Sequence, residues 1–433
     1  MRRLECSAPG GQVEYVDAAV PGLRQCVGIS GAKSFALRKR VAGKCRKLPP
    51  RVLLGAATAR GPCAQSCRSS FDFSLVVCER CRIPCARLCH HPVEGPRHFS
   101  QLDGARGMAA TVVLVAHSGQ AWIGTRLLHG FGQMGVAFFF VLSGFLMAWL
   151  YAGQPFTRSH LMRYAARRAA RVLPLYYAIV LASFFASCLL FSCFVLVPTM
   201  PLWTFTFADS GSLATHLLLI TGQQTLWTIP VEVQFYLLFP ILWHETQAKR
   251  PFRAIAATAV AGALLALSIL LYTDDPRFMP LWMHFFLFGI VVALLLRRHP
   301  EWHTRFRGHN ALGWAAIVFF LASVPGLREH LGLRFLPNFI DPLTVGSTAL
   351  LFLACLFQVG PLRVLATPIP AWFGRISYGL YLLHFPVLMT LAATSLPRIV
   401  ALPLFFVVTI GLAALSERFF ERPLRRRIAA LVR

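Results

Sequence analysis

The sequence predicts an all-α integral membrane protein with about ten transmembrane helices, preceded by an N-terminal extension. Hydrophobic residues make up 56% of the chain, and charged residues only 14%. From about residue 108 onward, apolar runs alternate with short polar connectors, and the runs have the roughly 20-residue length that a bilayer core requires. The ten runs cover approximately 108–124, 132–152, 172–196, 225–243, 254–272, 279–296, 311–325, 343–359, 375–394 and 399–416.

The basic residues of the connectors predict the orientation of these helices. If residue 1 is cytoplasmic, the inner connectors and the basic tail at 426–433 hold 20 lysines and arginines, against five in the outer connectors. Cytoplasmic loops are enriched in these residues, so we expect a multi-pass protein of the cytoplasmic (inner) membrane with both termini inside. The same bias accounts for the formal net charge of +26, and no nucleic-acid partner is predicted.

Residues 1–97 differ in composition from the rest of the chain. They hold 17 lysines and arginines against six acidic residues, nine of the 12 cysteines, and no sustained helical or strand period. The cluster Cys78, Cys81, Cys85 and Cys89 invites a zinc interpretation, but structural zinc sites usually have two well-separated ligand pairs. We therefore predict no metal, and a reducing cytosol argues against disulfides. The segment is expected to be a disordered extension or sequence upstream of the true start, before a membrane domain at 98–425.

The first polar patch within the apolar runs holds Asp103, Arg106 and His117. Eleven residues of α-helix make about three turns, so Arg106 and His117 share a face about 16 Å apart along the axis. Within a spanning helix, His117 would lie near the middle of the bilayer, where an ionisable group is costly and usually functional. The alternative is a histidine that only packs and forms hydrogen bonds.

A second patch lies in the run from Gly132 to Phe145. The small residues Gly132, Gly135, Ser143 and Gly144 predict close approach of another helix backbone. Ser143 could act as a nucleophile only with a base beside it, which sequence cannot show. Helix packing alone is the alternative interpretation.

A third patch is the arginine-rich stretch before the third run. Arg163, Arg167 and Arg171 are spaced i, i+4, i+8 on one helical face, with Arg168 adjacent. Guanidinium groups match phosphate oxygens well. The alternatives are a topology signal or attraction to anionic lipid headgroups.

Two further patches carry hydroxyl, carboxyl and imidazole groups. Glu232 and Tyr236 are i, i+4 neighbours in an apolar run that begins near Trp227, and a buried carboxylate needs a partner or a proton. Near the C-terminus, Ser377, Tyr381 and His384 are spaced i, i+4, i+7 on one face. A second intramembrane histidine is thus available, in a supporting role.

Together these motifs resemble the acyltransferase family 3 of integral membrane acyltransferases over residues 98–425. Members transfer acyl groups, usually acetyl, to sugars of lipopolysaccharide, exopolysaccharide, peptidoglycan or small glycosides. Ala105 is one departure, since a bulky leucine is commoner there. The matching stretches, in order, are Leu102–Ala109, Arg106–His117, Phe138–Phe145, Arg168–Pro174, Trp227–Pro240 and Ile376–Pro386.

The resemblance implies an O-acyltransferase that uses cytoplasmic acyl-CoA, expected to be acetyl-CoA, as co-substrate, with no bound cofactor. The acceptor would be a sugar hydroxyl at the outer face, and the lipid bilayer the surrounding partner. Arg106 and the Arg163–Arg171 face would bind the donor phosphates. His117 would be the general base, with Arg106 and Glu232 also in the catalytic set. The supporting residues would be Asp103, Ser143, Trp227, Tyr236, Ser377, Tyr378, Tyr381 and His384, of which Ser143, Tyr236 and Tyr378 are candidate oxyanion donors.

Two other classes of protein remain open. A proton-coupled transporter also has many helices and intramembrane ionisable groups, although it usually shows an internal repeat, and none is evident here. A membrane cytochrome would use His117 and His384 as haem ligands. The acceptor and the length of the acyl chain are not predicted.

Overall fold

The computed structural model describes residues 45–47, 76–78, 99–193, 210–247, 250–272, 277–306, 309–333, 336–337 and 339–432. The chain divides into two units, Met1–Arg97 and His98–Arg433. In the first unit, strands β1 (Cys45–Lys47) and β2 (Val76–Cys78) pair in antiparallel fashion, with Cys45 opposite Cys78. The predicted disorder of residues 1–97 and most of the cysteine cluster fall outside the described residues, so both stay predictions.

The described residues of the second unit form helices and connectors without a strand, which confirms the all-α prediction for this part of the chain. The α-helices are α1 (Ser100–Ser118), α2 (Phe131–Tyr151), α3 (Arg158–Cys193), α4 (Ser210–Leu217), α5 (Thr228–Gln247), α6 (Pro251–Tyr272), α7 (Met279–Arg298), α8 (Trp302–Arg305), α9 (Asn310–Ala322), α10 (Pro325–His330), α11 (Pro342–Leu356), α12 (Pro368–Ala392), α13 (Arg398–Ser416) and α14 (Arg422–Leu431). Single 3-10 turns lie at Arg126–Leu128, Gln224–Trp227 and Gly360–Ala366, and π-helical turns at Gly119–Ile123 and Glu417–Glu421.

Within the described residues, six helical segments are long and apolar enough to cross a membrane, or seven if a bent pair is one span. The bent pair is α11 with the 3-10 turn after it, at 64°. The chain is therefore a multi-pass membrane protein. Helices α1 and α12 fall outside this set and carry several of the polar site residues, while α9 is short at 13 residues. The six segments are Arg126–Tyr151, Arg158–Ala186, Gln224–Gln247, Pro251–Leu271, Met279–Arg298 and Arg398–Leu431.

Helices α1 and α12 pack backbone to backbone through glycines. A Cβ on Gly107 would lie 2.8 Å from the amide nitrogen of Gly374, and one on Gly374 would lie 1.8 Å from the carbonyl oxygen of Asp103. Only glycine permits this approach, because any side chain would force the helices apart. The contact brings the first and last site motifs together, although they lie far apart in sequence.

Helix α2 makes the same kind of contact with α7. A Cβ on Gly144 would lie 2.0 Å from the Phe286 carbonyl oxygen, and one on Gly289 would lie 2.1 Å from that of Val141. Gly135 faces α1 in turn, since its Cβ would lie 2.8 Å from the Ala109 carbonyl oxygen. The close packing predicted for the small residues of this helix is thus confirmed.

A buried ion pair fixes the start of α11. Arg328 Nη2 lies 3.0 Å from Asp341 Oδ1, and the two side chains are 4% and 5% exposed. Asp341 also caps α11, because its Oδ2 accepts from the backbone N–H of Thr344 at 2.9 Å. Burial alone would raise the pKa of Asp341, but the hydrogen bonds from Arg328 and Thr344 outweigh it and lower the pKa below its usual value.

Candidate functional site

Two histidines from the first and last site motifs form a hydrogen-bonded pair. His117 is in the last turn of α1 and His384 is on α12, and their rings stack with centroids 5.1 Å apart. The Nδ1 atom of His117 lies 2.9 Å from Nε2 of His384. His384 is fully buried and His117 is half-buried. The sequence analysis named the two residues separately, and the structure brings them into direct contact.

The backbone beside His384 defines the proton positions in this pair. His384 Nδ1 lies 2.6 Å from the Tyr381 carbonyl oxygen, which can only accept, so Nδ1 carries the proton. The Nε2 atom of a neutral His384 is then an acceptor, and His117 Nδ1–H donates to it. His117 Nε2 is left unprotonated on the side of α2, where a Cβ on Gly132 would lie 3.9 Å away. This is the tautomer that a proton acceptor needs.

His117 lies closer to one end of its helix than the sequence analysis expected. That analysis placed it near the middle of a run over 108–124. The helix in fact begins at Ser100 and continues as a π-helical turn to Ile123, so His117 lies about 26 Å from the first residue and about 9 Å from the last. The helix is longer than the apolar run because the polar first turns, which hold Asp103 and Arg106, are helical too.

A cavity between α1, α2, α3, α5 and α12 gathers most of the other predicted residues. Its longest wall is one face of α2, from Val136 to Met147. His117 and His384 do not line it. The Phe139 and Tyr381 rings, with centroids 6.2 Å apart, lie on the wall nearest the histidine pair, and the Tyr381 ring is 5.8 Å from that of His384. The predicted site residues that line the cavity are Arg106, Ser143, Arg168, Arg171, Glu232, Tyr236, Ser377, Tyr378 and Tyr381.

Three guanidinium groups converge on one region of this cavity. Arg106 donates to the Asp103 carboxylate at 3.3 Å and is 12% exposed. Arg168 lies over the rings of Tyr151 and Tyr236, 5.7 and 5.8 Å from their centroids. Arg171 lines the same cavity as Arg106 and Arg168. A polar cavity lined by three arginines is suited to an anion with several charges.

Arg163 and Arg167 do not reach the cavity. Arg167 is exposed, and Arg163 Nε donates to the backbone carbonyl of Ser159 at 3.3 Å. The i, i+4, i+8 face proposed from sequence is therefore divided: Arg171 turns inward together with Arg168, and the first two arginines turn outward. Helix α3 packs with the side that carries Arg168 and Arg171 toward the cavity, and the side that carries Arg163 and Arg167 faces away from it.

A hydrogen-bond network joins the second and fourth patches. Ser143 Oγ donates to Glu232 Oε1 at 3.2 Å, and the Tyr236 hydroxyl donates to the same carboxylate oxygen. The carboxylate thus has the partners that burial requires. Within the described part of the chain, this network joins Ser143 to Glu232 and Tyr236 and includes no histidine, so the base that a serine nucleophile needs would have to be Glu232. The geometry favours a role for Glu232 in ordering the cavity wall.

The remaining predicted residues orient the helices around the cavity. Ser377 Oγ donates to the Gly374 carbonyl at 2.9 Å, and the Tyr381 hydroxyl donates to the Thr225 carbonyl at 3.0 Å. The Tyr378 hydroxyl donates to the carbonyl of Val172, next to Arg171. Trp227 does not line the cavity, and its ring packs against Phe140 and Trp282 with centroids 6.2 and 5.2 Å away.

Sequence reasoning missed two aromatic residues of the site. Tyr151 faces Arg168, and Phe139 lines the cavity beside Tyr381. A helical-face argument could have identified Phe139, since it lies four residues before Ser143 on the same side of α2. Tyr151 carries no local signal, because its partner belongs to another helix.

The geometry of the histidine pair argues against the haem interpretation. Two axial nitrogens on opposite sides of a metal lie at roughly twice the ~2.0 Å metal–nitrogen distance, whereas the facing nitrogens of His117 and His384 are 2.9 Å apart. An iron atom does not fit between them. Among the described residues, no group of three or more His, Cys, Asp or Glu side chains is placed to hold a metal ion.

Comparison with known proteins agrees with these observations. The family described as an acyltransferase domain, acyltransferase 3, matches residues 99–418. The chain is 29% identical over 323 residues to acyltransferase MdmB of Streptomyces mycarofaciens, across 66% of this chain and 78% of that protein. It is 26% identical over 379 residues to peptidoglycan O-acetyltransferase OatA of Listeria monocytogenes, across 76% and 56%. For O-acetyltransferase OatA of Staphylococcus aureus, the values are 22% over 378 residues, 77% and 58%.

The chain spans little more than half the length of either OatA protein. No solved structure matches it. The helices and the polar cavity define a multi-pass membrane enzyme. The family match covers most of the second unit, and the chain belongs to the acyltransferase 3 family. It is an O-acyltransferase, as the sequence motifs predicted.

Proposed function

We propose that this protein moves an acyl group, in the first instance acetyl, from cytoplasmic acyl-CoA to a sugar or glycan hydroxyl at the outer face of the membrane. One observation carries the proposal: a histidine with an available Nε2 lone pair lies about three helical turns from Arg106, one of the three arginines that line the cavity. Arg106 and His117 are about 16 Å apart along α1. This arrangement suits a donor whose phosphates and thioester lie at opposite ends of a long arm.

The arginine side of the cavity would bind the phosphates of CoA. Arg106, Arg168 and Arg171 line it, and guanidinium groups form short, charge-assisted bonds with phosphate oxygens. The apolar face of α2 from Val136 to Met147 would accommodate the pantetheine arm. The donor would thus lie along α2, with its thioester toward the histidine pair.

His117 would be the general base. A sugar hydroxyl is a poor nucleophile until its proton is removed, and His117 Nε2 can accept that proton. The hydroxyl oxygen would attack the thioester carbonyl as the proton moves to His117, the carbon–sulfur bond would break, and the CoA thiolate would take the proton back. Direct attack of this kind needs no covalent acyl-enzyme.

His384 would act through His117. Its Nε2 accepts the Nδ1 proton of His117, which holds the imidazole in one orientation and one tautomer. Tyr381 lines the cavity with Phe139 beside it, and the Tyr381 ring lies 5.8 Å from that of His384. The donor thioester would have to reach past these two rings to meet the acceptor.

The relatives support a sugar acceptor and a cell-envelope location. Two of them are named O-acetyltransferase OatA, one of these a peptidoglycan O-acetyltransferase. We infer ten membrane crossings with both termini in the cytoplasm, since a helix is present at each of the ten apolar runs and the connectors predicted to be inside are basic. This topology would give the arginine side access to cytoplasmic CoA.

The experiment that tests this function uses the full chain in sealed vesicles of known orientation. Acetyl-CoA carrying a radiolabelled acetyl group is added to the cytoplasmic side, and label is followed into glycan. Mass spectrometry of surface glycans with and without the protein identifies the modified sugar. Label transfer that needs the protein and His117 supports the proposal. No transfer from acetyl-CoA, or transfer only from a donor added to the outer side, would overturn it.

A further inference from the structure

A polar groove lies just beyond the end of α1 that carries His117. We call it the outer groove, because its connectors belong to the side of the protein that we infer to be outside. The groove is separate from the cavity that holds the three arginines, since the two share no lining residue. The residues that line the outer groove are Gln120, Gly124, Thr125, Arg126, His129 and Glu329.

Two residues of the outer groove place it next to His117. Gln120 follows His117 by three residues, in the π-helical turn that continues α1, so it lies about one helical turn further along the axis. His129 precedes Gly132 by three residues, and a Cβ on Gly132 would lie 3.9 Å from His117 Nε2. A molecule bound in the groove would therefore lie about one turn beyond the nitrogen that is available to accept a proton.

Close backbone packing holds the walls of the outer groove together. A Cβ on Gly326, in α10, would lie 2.0 Å from the Arg126 carbonyl oxygen, and the Gly326 N–H donates to the His129 carbonyl at 2.9 Å. On the other wall, a Cβ on Gly119 would lie 2.4 Å from Leu128 Cδ1. The buried ion pair that joins α10 to the start of α11 anchors the same region. The groove is thus formed before any ligand binds, as small-molecule sites usually are.

The side chains of the outer groove suit an uncharged compound with several hydroxyls. Arg126 and Glu329 carry opposite charges, and His129 Nδ1 lies 3.7 Å from Glu329 Oε2. The His129 and Glu329 side chains are 59% and 43% exposed, so a ligand can reach them. Each hydroxyl of a sugar ring both donates and accepts, and guanidinium, carboxylate, amide and imidazole groups together offer both kinds of partner. This balance of charge contrasts with the cavity of three arginines, which suits an anion.

We propose that the outer groove binds the acceptor as a neutral sugar ring, held mainly by Arg126 and Glu329, and presents one of its hydroxyls to His117. The inference rests on the proposed function and deepens it, because it assigns residues to the acceptor, whereas the cavity arginines are assigned to the donor. Donor and acceptor would then approach His117 from opposite sides. A change in the groove should alter acceptor use without altering donor use.

The main test titrates acceptor and donor separately, with the full-length protein in sealed vesicles. The acceptor probe is the purified surface glycan of the producing cells, added on the outer side with saturating acetyl-CoA. Arg126→Gln and Glu329→Gln should each raise the KM for this glycan about three- to thirtyfold, as expected for loss of an accessible hydrogen bond to a charged group. The KM for acetyl-CoA should stay within twofold of wild type.

Arg398→Gln and His330→Gln are the matched controls. Both residues are exposed, and neither lines the outer groove or the arginine cavity. His330 is also the direct neighbour of Glu329, so His330→Gln reports any general disturbance of α10. Both controls should leave the two KM values within twofold of wild type. An acceptor KM that is unchanged in Arg126→Gln and Glu329→Gln, or raised equally in the controls, would overturn the inference alone.

A second measurement detects glycan binding without acyl transfer. A membrane-impermeant maleimide is reacted with Gln120→Cys and with Ala121→Cys, an exposed position that does not line the groove, and wild type gives the background from native cysteines. The glycan should slow labelling of Gln120→Cys and leave Ala121→Cys unchanged. Equal labelling of Gln120→Cys with and without glycan would overturn the inference. A wild-type protein that transfers no acetyl group would overturn the proposed function, whereas the labelling would still decide whether the groove binds glycan.

Discussion

The Nδ1 atom of His117 donates to the Nε2 atom of His384 across 2.9 Å, and His384 in turn donates to the backbone of its own helix. This chain of hydrogen bonds leaves one nitrogen of His117 without a proton. The hydrogen bond between the two histidines depends on the glycines that let α1 and α12 pack closely, because this packing brings His384 of α12 next to His117 of α1. The packing of α1 against α12 therefore determines that His117 Nε2 carries no proton.

His117→Ala should abolish acyl transfer while the protein still inserts into the membrane. Loss of a positioned general base typically costs about 10²- to 10⁴-fold in rate. The measurement is acetyl transfer per mole of purified enzyme, at matched expression. His284→Ala is a suitable control, because His284 is also an intramembrane histidine, on α7, and does not line the cavity. Activity of His117→Ala within a few-fold of wild type would exclude the base role.

His384→Ala should lower kcat by about 10- to 100-fold, because the Nδ1–H of the half-buried His117 loses its acceptor. The KM for acyl-CoA should be unchanged, since the histidine pair lies outside the arginine cavity. The double variant His117→Ala/His384→Ala should be no slower than His117→Ala alone, because His384 acts only through His117. Additive effects in steady-state kinetics would show that His384 has a separate role.

The sequence predicted the positions of the helices better than the contacts between them. Each of the ten apolar runs contains a helix, because a helix needs about 20 consecutive apolar residues to cross the core of a bilayer. The start of α1 was missed because polar residues such as Asp103 and Arg106 do not look like part of an apolar run. Close packing at Gly144 was predictable, since only a small residue allows another backbone so near. Its partner, the Phe286 carbonyl, was not.

The site was predicted by residue and only partly by geometry. Spacing correctly placed Arg106 and His117 on one helix about three turns apart, yet only one of them lines the cavity. Sequence could not show that His117 faces His384, because that contact joins residues 267 positions apart. The periodic face of Arg163, Arg167 and Arg171 was divided for the same reason: neighbouring helices decide which part of a basic helix points inward.

Deletion of residues 1–95 should leave insertion and acyl transfer intact. The family match begins at residue 99, and residues 1–97 show no helical or strand period. The test compares the specific activity and thermal stability of the purified full-length and shortened proteins. Zinc content measured in both forms provides a second check. Loss of insertion, or tightly bound zinc present only in the full-length protein, would contradict the prediction.

Asp341→Asn should destabilise the protein by about 3–5 kcal/mol at neutral pH, because Arg328 is left as a buried charge without its carboxylate. Asparagine can still cap α11, so the loss of stability in this variant measures the contribution of the carboxylate charge. The folded-state pKa of Asp341 is lowered. The stabilising contribution is therefore complete above the ordinary aspartate pKa of about 3.9 and is lost as the pH falls through the lower folded-state value. Thermal unfolding in detergent at pH 7, 5 and 3.5 should show the same gap between wild type and variant at pH 7 and 5, and a gap that begins to narrow at pH 3.5.

The arginines of α3 offer a matched comparison between donor binding and topology. Arg168 and Arg171 line the cavity, whereas Arg163 and Arg167 lie outside it on the same helix. Arg168→Ala and Arg171→Ala should each raise the KM for acyl-CoA by about 10- to 100-fold, the value of one charge-assisted contact. Lysine at either position should restore the charge but not the planar fork, and should recover only part of the affinity.

Arg163→Ala and Arg167→Ala are the controls, and each should leave the donor KM within twofold of wild type. Donor titration in vesicles that carry each variant gives these values, and protease accessibility of the termini reports orientation. If all four arginines served topology alone, lysine would replace each of them without effect, because both residues count equally for the positive-inside bias. Equal donor dependence of Arg168→Ala, Arg171→Ala and the two controls would leave the cavity arginines without a role in binding the phosphates.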